Sequence, residues 1–312
     1  MRRFHELPAQ EYARLDIGEV NLECAEGLSG SAGNDIAVAL RQLDKMAAAV
    51  ADATARFFGQ FEANPKDFED SAAYFRMLVL TTILQRDFGV TYNVEWFENP
   101  PDFTDSRNIF IHGILAGGGG TCSSLPVLYT AVGRRLGYPL KLVSTVSHLF
   151  LRWDDPQTGE CFNIEATARG LICHSDEHYR TWPKPMLPED LAKRYYLTSY
   201  TPQQELACFY ILRAQCYFDC LNFHNAMQLA DDACEIFPEE PNFHGLRCIA
   251  TVLYREQTGL AKHDPTRGVV LERGIERAME PWERWGAIEA EKSLARLRQI
   301  HEVRQVTTKC KV

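Results

Sequence analysis

The chain has 312 residues, 46% of them hydrophobic and 24% charged, a globular composition that excludes a disordered, collagenous or fibrous protein. Lys and Arg number 33 against 42 Asp and Glu, and the resulting net charge of −9 argues against a nucleic-acid partner, whose phosphates need a basic face. No run approaches the roughly 18 apolar residues of a membrane span, and the start, Met1-Arg2-Arg3-Phe4-His5-Glu6, turns polar where a secretory signal needs an apolar stretch, so a cytoplasmic protein with no membrane partner is expected.

Residues 1–104 read as a helical region. Leu40, Leu43, Met46, Ala47 and Val50 recur at helical spacing, with Phe57, Phe58 and Phe61 continuing the segment. A second run, Phe75, Leu78, Val79, Thr82 and Ile83, follows Asp67-Phe68-Glu69-Asp70-Ser71, whose acids and hydroxyl suit a helix start. The stretch from Tyr92 to Arg107, with Asn99-Pro100-Pro101-Asp102, reads as a connector.

Residues 105–190 have a different texture. A short helical segment, Ile109 to Leu115, runs into Gly117-Gly118-Gly119-Gly120. Leu125, Leu128, Tyr129, Val132 and Leu136 then share one helical face, stopped by Gly137 and Pro139, with Arg134 and Arg135 expected on the solvated side. Three strands follow: Leu140 to Val146, His148 to Trp153 and, after the turn Asp154 to Gly159, Cys161 to Thr167. Helix followed by strands is an α+β order. Residues 191–302 return to helix, and Tyr210, Ala214, Tyr217, Ala226, Ala230, Ala233 and Pro238 fall near the aromatic, small and terminal proline positions of one tetratricopeptide unit. The tail from Glu272 reads as a charged amphipathic helix.

Ten cysteines contain no CxxC pair, and in a reducing compartment most read as small packing residues. Cys122 reads differently. Pro126 requires the helix to start near Ser123 or Ser124, because proline is tolerated only where its missing N–H would be unpaired. Cys122 then lies at or next to the N-cap, where the dipole and free amides stabilise a thiolate. Its own backbone amide becomes a candidate oxyanion donor.

On the following strand, His148 shares a face with Phe150 and Arg152, opposite Leu149, Leu151 and Trp153. On the next, Asn163, Glu165 and Thr167 alternate with Phe162, Ile164 and Ala166. A register pairing Leu149 with Ile164 and Leu151 with Phe162 sets His148 opposite Glu165. A slide that sets Asn163 opposite His148 pairs Leu151 with Glu160, a poorer apolar match, so Glu165 is the expected orienting group and Asn163 the alternative. Cys, His and an acid in that order form an activated-nucleophile arrangement.

Gly120-Thr121-Cys122-Ser123-Ser124, the His148 strand and Asn163-Ile164-Glu165-Ala166-Thr167 together resemble the catalytic core of the transglutaminase-like superfamily. More loosely, the flanking helices, with 191–312 as a tetratricopeptide-like third region, resemble its bacterial SirB1-like branch. The resemblance implies a papain-type fold, a core helix packed on an antiparallel sheet, with Cys122 as nucleophile, His148 as base and Glu165 in place of the usual aspartate. It implies a cysteine enzyme that opens amide bonds of a protein or peptide through an acyl-thioester, by hydrolysis or by transfer to an amine, with no cofactor and no metal.

The alternative is an inactive scaffold that binds a protein partner through its helices. Cys216, Cys220 and His224, and Cys173, His174 and His178, offer metal-ligand types but read more simply as packing and loop residues. Tyr179-Arg180-Thr181-Trp182-Pro183 is aromatic enough to line a cleft but reads more simply as a connector packed on the core.

Overall fold

The computed structural model describes residues 4, 7–12, 14–96, 101–188, 190 and 195–258; the expected charged tail from Glu272 and Cys310 lie outside them. The chain divides into two compact units, 1–206 and 207–312.

In the first unit, helices α1 (Ala9–Tyr12), α2 (Ile17–Ala25), α3 (Ile36–Ala63), α4 (Ala72–Asp87) and α5 (Ile111–Leu115) precede the core helix α6 (Leu125–Arg135). Side-chain oxygens open three of them by taking up an otherwise unpaired amide. Asp16 accepts from Glu19, Asp35 from Val38 and Ser71 from Tyr74, at 3.0, 3.0 and 2.8 Å. Phe58 and Phe61 of α3 meet Phe68 and Phe75 with ring centroids 5.8 to 6.2 Å apart, which joins α3 to α4.

Every residue of α6 from Leu125 to Gly133 is buried, because α2 and α3 pack against it as well as the sheet. With neighbours all around, its two arginines are not solvated as expected but ion-paired. Arg134 donates to both Glu205 carboxylate oxygens (2.5 and 2.9 Å) and to the Leu140 carbonyl. Arg135 reaches Asp16 and Asp44, each at 2.8 Å. The helix ends at Gly137, whose φ of 76° lets Tyr138 N–H bond the Gly133 carbonyl and Gly137 N–H that of Arg134.

The sheet has three antiparallel strands in the order β1 (Leu140–Thr145), β2 (His148–Asp154), β3 (Cys161–Ile164). The unit is therefore α+β. The β2–β3 ladder differs from the expected register by two residues: Leu151 pairs with Ile164, Arg152 with Asn163 and Trp153 with Phe162. This register places the Trp153 and Phe162 rings nearly parallel at 6.1 Å and still keeps Leu151 against an aliphatic partner. Strand β3 ends earlier than expected, at Ile164, because the Glu165 amide turns to the Ile172 carbonyl. At the outer edge, Leu197 and Tyr200 donate to the Ser144 and Leu142 carbonyls, so the edge of β1 is covered.

A four-residue helix, α7 (Asp176–Tyr179), lies over the sheet face carrying Phe150, where Val143, Phe150 and Tyr179 form a buried cluster. The second unit contains most of α8 (Pro202–Asp219), then α9 (Phe223–Ile236) and α10 (Pro241–Thr258). Phe218, Phe223, Ala226, Ile249 and Ala250 form its core.

Candidate active site

Cys122 lies in a turn rather than at the helix cap. The cap is Ser124, and the Thr121 carbonyl accepts from both Ser124 and Leu125, so one extra turn precedes the helix and sets Cys122 two residues before the cap. Pro126 occupies the second helical position, where no donor is lost. Among the described residues, the hydrogen bonds of this turn run through Thr121, Ser123 and Ser124 and leave out the Cys122 amide. The side chain is half-buried.

The glycines before it serve a docking contact. Gly120 N–H donates to the Thr91 carbonyl at 2.9 Å, and Asn93 N–H to the Gly120 carbonyl at 2.8 Å. A Cβ on Gly119 would stand 2.7 Å from Asn93 Cα, so the segment 91–93 closes on this loop only because the position is glycine. Tyr92 thereby comes beside the turn. Burial raises the pKa of its phenol, and the charges of Cys122 and Glu165 raise it further. Tyr92 lies in the expected connector, and a bridge spanning 28 positions leaves no local signal in the sequence.

His148 opens β2 and is buried. Its Nε2 lies 2.8 Å from Glu165 Oε2. The observed register sets Glu165 diagonally across the ladder from His148, not directly opposite, a reach within the span of a glutamate. Burial disfavours a charged imidazole here, but hydrogen bonds to Cys122 and to Glu165, with the charges of both, outweigh it and raise the ring to about 9. Cys122, His148 and Glu165 thus meet at one imidazole.

Glu165 has a full set of donors. Thr167 gives its amide (3.0 Å) and hydroxyl (2.6 Å) to Oε1, while Tyr179 O–H donates to Oε2 at 3.0 Å. Burial raises this carboxyl, but the His148 bond and charge and the Thr167 donors prevail and hold it below the usual carboxylate value. Asn163 is elsewhere. Its Oδ1 accepts from Arg152 Nε at 2.6 Å, and its Nδ2 donates to the His174 carbonyl and to Asp176 Oδ1.

The aromatic stretch after β3 meets the site instead of merely packing beneath it. Trp182 stands edge-on to the His148 ring, centroids 4.7 Å apart, and remains partly exposed. Among the described residues, no group of three or more His, Cys, Asp or Glu converges as a metal site. The rings of His174 and His178 stack at 3.7 Å, and His224 lies against Tyr254.

Mouse F-box only protein 21 (Mus musculus) is 35% identical over 66 residues, which cover 21% of this chain and 10% of that protein. The human protein (Homo sapiens) is 33% identical over 66 residues, covering the same shares. The match thus spans about a tenth of the length of these relatives. No solved structure matches the chain. The family model of the transglutaminase-like superfamily matches residues 37–207, more than half of the sequence and the whole of the Cys122, His148 and Glu165 region. The chain belongs to the transglutaminase-like superfamily.

Proposed function

We propose that the protein is a cysteine enzyme that acts on amide bonds of a protein or peptide through an acyl-thioester. The observation that carries the reading is the buried His148 ring, whose Nε2 lies 2.8 Å from Glu165 Oε2 and whose pKa is raised by the neighbouring Cys122 as well as by Glu165. With its proton already held by His148, the sulfur attacks the carbonyl carbon, and the Cys122 amide meets the developing oxyanion. Collapse breaks the C–N bond, and His148 returns the proton to the leaving amine. A second nucleophile then gives a proton to His148, attacks the thioester and releases the sulfur. Water is the default second nucleophile because it is the abundant one; an amine gives acyl transfer by the same steps.

The finer placement belongs to the same proposal: a cytoplasmic member of the SirB1-like bacterial branch whose C-terminal helices are tetratricopeptide-like and carry a protein partner. The packing of α9 on α10, with Ala226, Ala230 and Ala233 buried, supports that description of the helices. No described helix is long and apolar enough to cross a membrane.

The test is capture of the acyl-enzyme. Wild-type protein incubated with a peptide mixture and quenched in acid is expected to carry a thioester adduct at Cys122, absent from Cys122→Ala. A folded wild type that forms no adduct with any acyl donor and hydrolyses no amide supports the scaffold reading instead.

A further inference from the structure

Two polar clusters share one face of the sheet, and α7 touches both. At its start, Asp176 Oδ1 accepts from Arg152 Nη2 at 2.6 Å and from Asn163 Nδ2 at 2.8 Å. Arg152 is itself fixed by Asn163 Oδ1 and by the Leu197 carbonyl. Three residues on, and so on the same side of the helix, Tyr179 is held at three points. Thr145 Oγ1 donates to its carbonyl at 2.7 Å, its ring stacks on Phe150 with centroids 3.8 Å apart and an interplanar angle of 1°, and its hydroxyl reaches Glu165. It is fully buried.

We propose that Tyr179 is a positioning residue of the Cys122–His148–Glu165 site: its phenol O–H holds the Glu165 carboxylate in the orientation that presents Oε2 to His148 Nε2, and α7, anchored by Arg152 and Asn163, delivers it there. This rests on the reading of Glu165 as the group that orients the imidazole. A glutamate has one more rotatable bond than an aspartate, and lies here just past the end of a strand. Thr167 fixes one carboxylate oxygen but leaves the other free to swing about it. Tyr179 removes that freedom by binding the same oxygen as His148. Its burial raises the phenol's pKa and Glu165 raises it further, so at every working pH it stays a donor. Asn163 thus has an indirect part: it steadies the helix that steadies the carboxylate.

The test is the titration of the His148 ring by NMR in full-length protein, its signal assigned by its loss in His148→Gln. Tyr179→Phe keeps the stack on Phe150 and removes one donor. It is expected to lower the His148 midpoint by half a unit or more from the wild-type value, with the thermal midpoint of unfolding nearly unchanged. Asp176→Ala, at a partly exposed side chain, frees α7 and is expected to shift the midpoint the same way by less. Should Tyr179→Phe fail to fold, Asp176→Ala decides alone. A folded variant whose His148 midpoint equals wild type overturns the inference. The titration needs no substrate, so an inert Cys122 defeats the enzymatic reading and not this one.

Discussion

The His148–Glu165 cluster and the Arg152–Asn163–Asp176 cluster are built from the same material. Both use alternate residues of β2 and of β3 or its continuation on one sheet face, with Phe150 between them, and both bury charge. They differ in what they leave unfinished. Arg152 spends Nε, Nη1 and Nη2 on fixed acceptors, and a guanidinium does not change charge near neutral pH, so that cluster can only hold. His148 titrates, and one of its two partners is a thiol at a half-buried turn rather than a saturated carboxylate. Burial makes both clusters costly, but only the first keeps a reactive group at the end of its chain.

Substitutions should separate the two. Replacing His148 by Gln is expected to slow the reaction of Cys122 with an acyl donor by about a hundred- to ten-thousand-fold, since it removes the proton acceptor. Global stability, judged from urea unfolding near pH 9, where the His148 contribution is lost, should change little by comparison. Replacing Arg152 by Leu reverses the pattern. It leaves Asn163 and Asp176 without their shared donor and is expected to cost about 2–4 kcal/mol of stability by urea unfolding. Thiol reactivity, measured in the folded protein, should fall by far less than in His148→Gln.

Glu165→Gln is expected to have an intermediate effect on rate, about ten- to a hundredfold, and to lower the His148 midpoint from about 9 toward the ordinary 6.5, read by NMR. The smallest effect concerns pH. The His148 pKa is raised on folding, so its contribution to stability is fully present below about 6.5 and is lost as pH rises through about 9. Glu165 is lowered, so its contribution is present above its ordinary 4.5 and is lost as pH falls through the depressed value. The difference in urea midpoint between wild type and His148→Gln should therefore be steady near pH 6 and shrink toward pH 9. A difference that grows over that range contradicts the assignment.

Much of this arrangement was legible because it rests on short-range rules. Ser71 and Pro126 mark helix starts, Gly137 marks a stop, and period-two alternation puts His148 with Arg152 and Asn163 with Glu165. Register was not legible. Aliphatic and aromatic residues alternate in both strands and satisfy either register, and the ladder is the one that pairs Trp153 with Phe162 and Leu151 with Ile164. Arg134 and Arg135 misled because their partners, Glu205, Asp16 and Asp44, are 71 or more positions away in sequence. Tyr92 and Trp182 reach the site through loops and Tyr179 on a four-residue helix, where neither spacing nor periodicity announces a destination.

The central claim is that one thiol among several is set apart by the imidazole beside it. Its direct measurement is the rate of iodoacetamide modification at each cysteine at pH 6, mapped by mass spectrometry in wild type and His148→Gln. Cys122 should react fastest in wild type, ahead even of the exposed Cys161 and Cys173, and should lose that lead in the variant. If Cys161 or Cys173 outpaces Cys122 in wild type, or the order is the same in both proteins, the account is wrong.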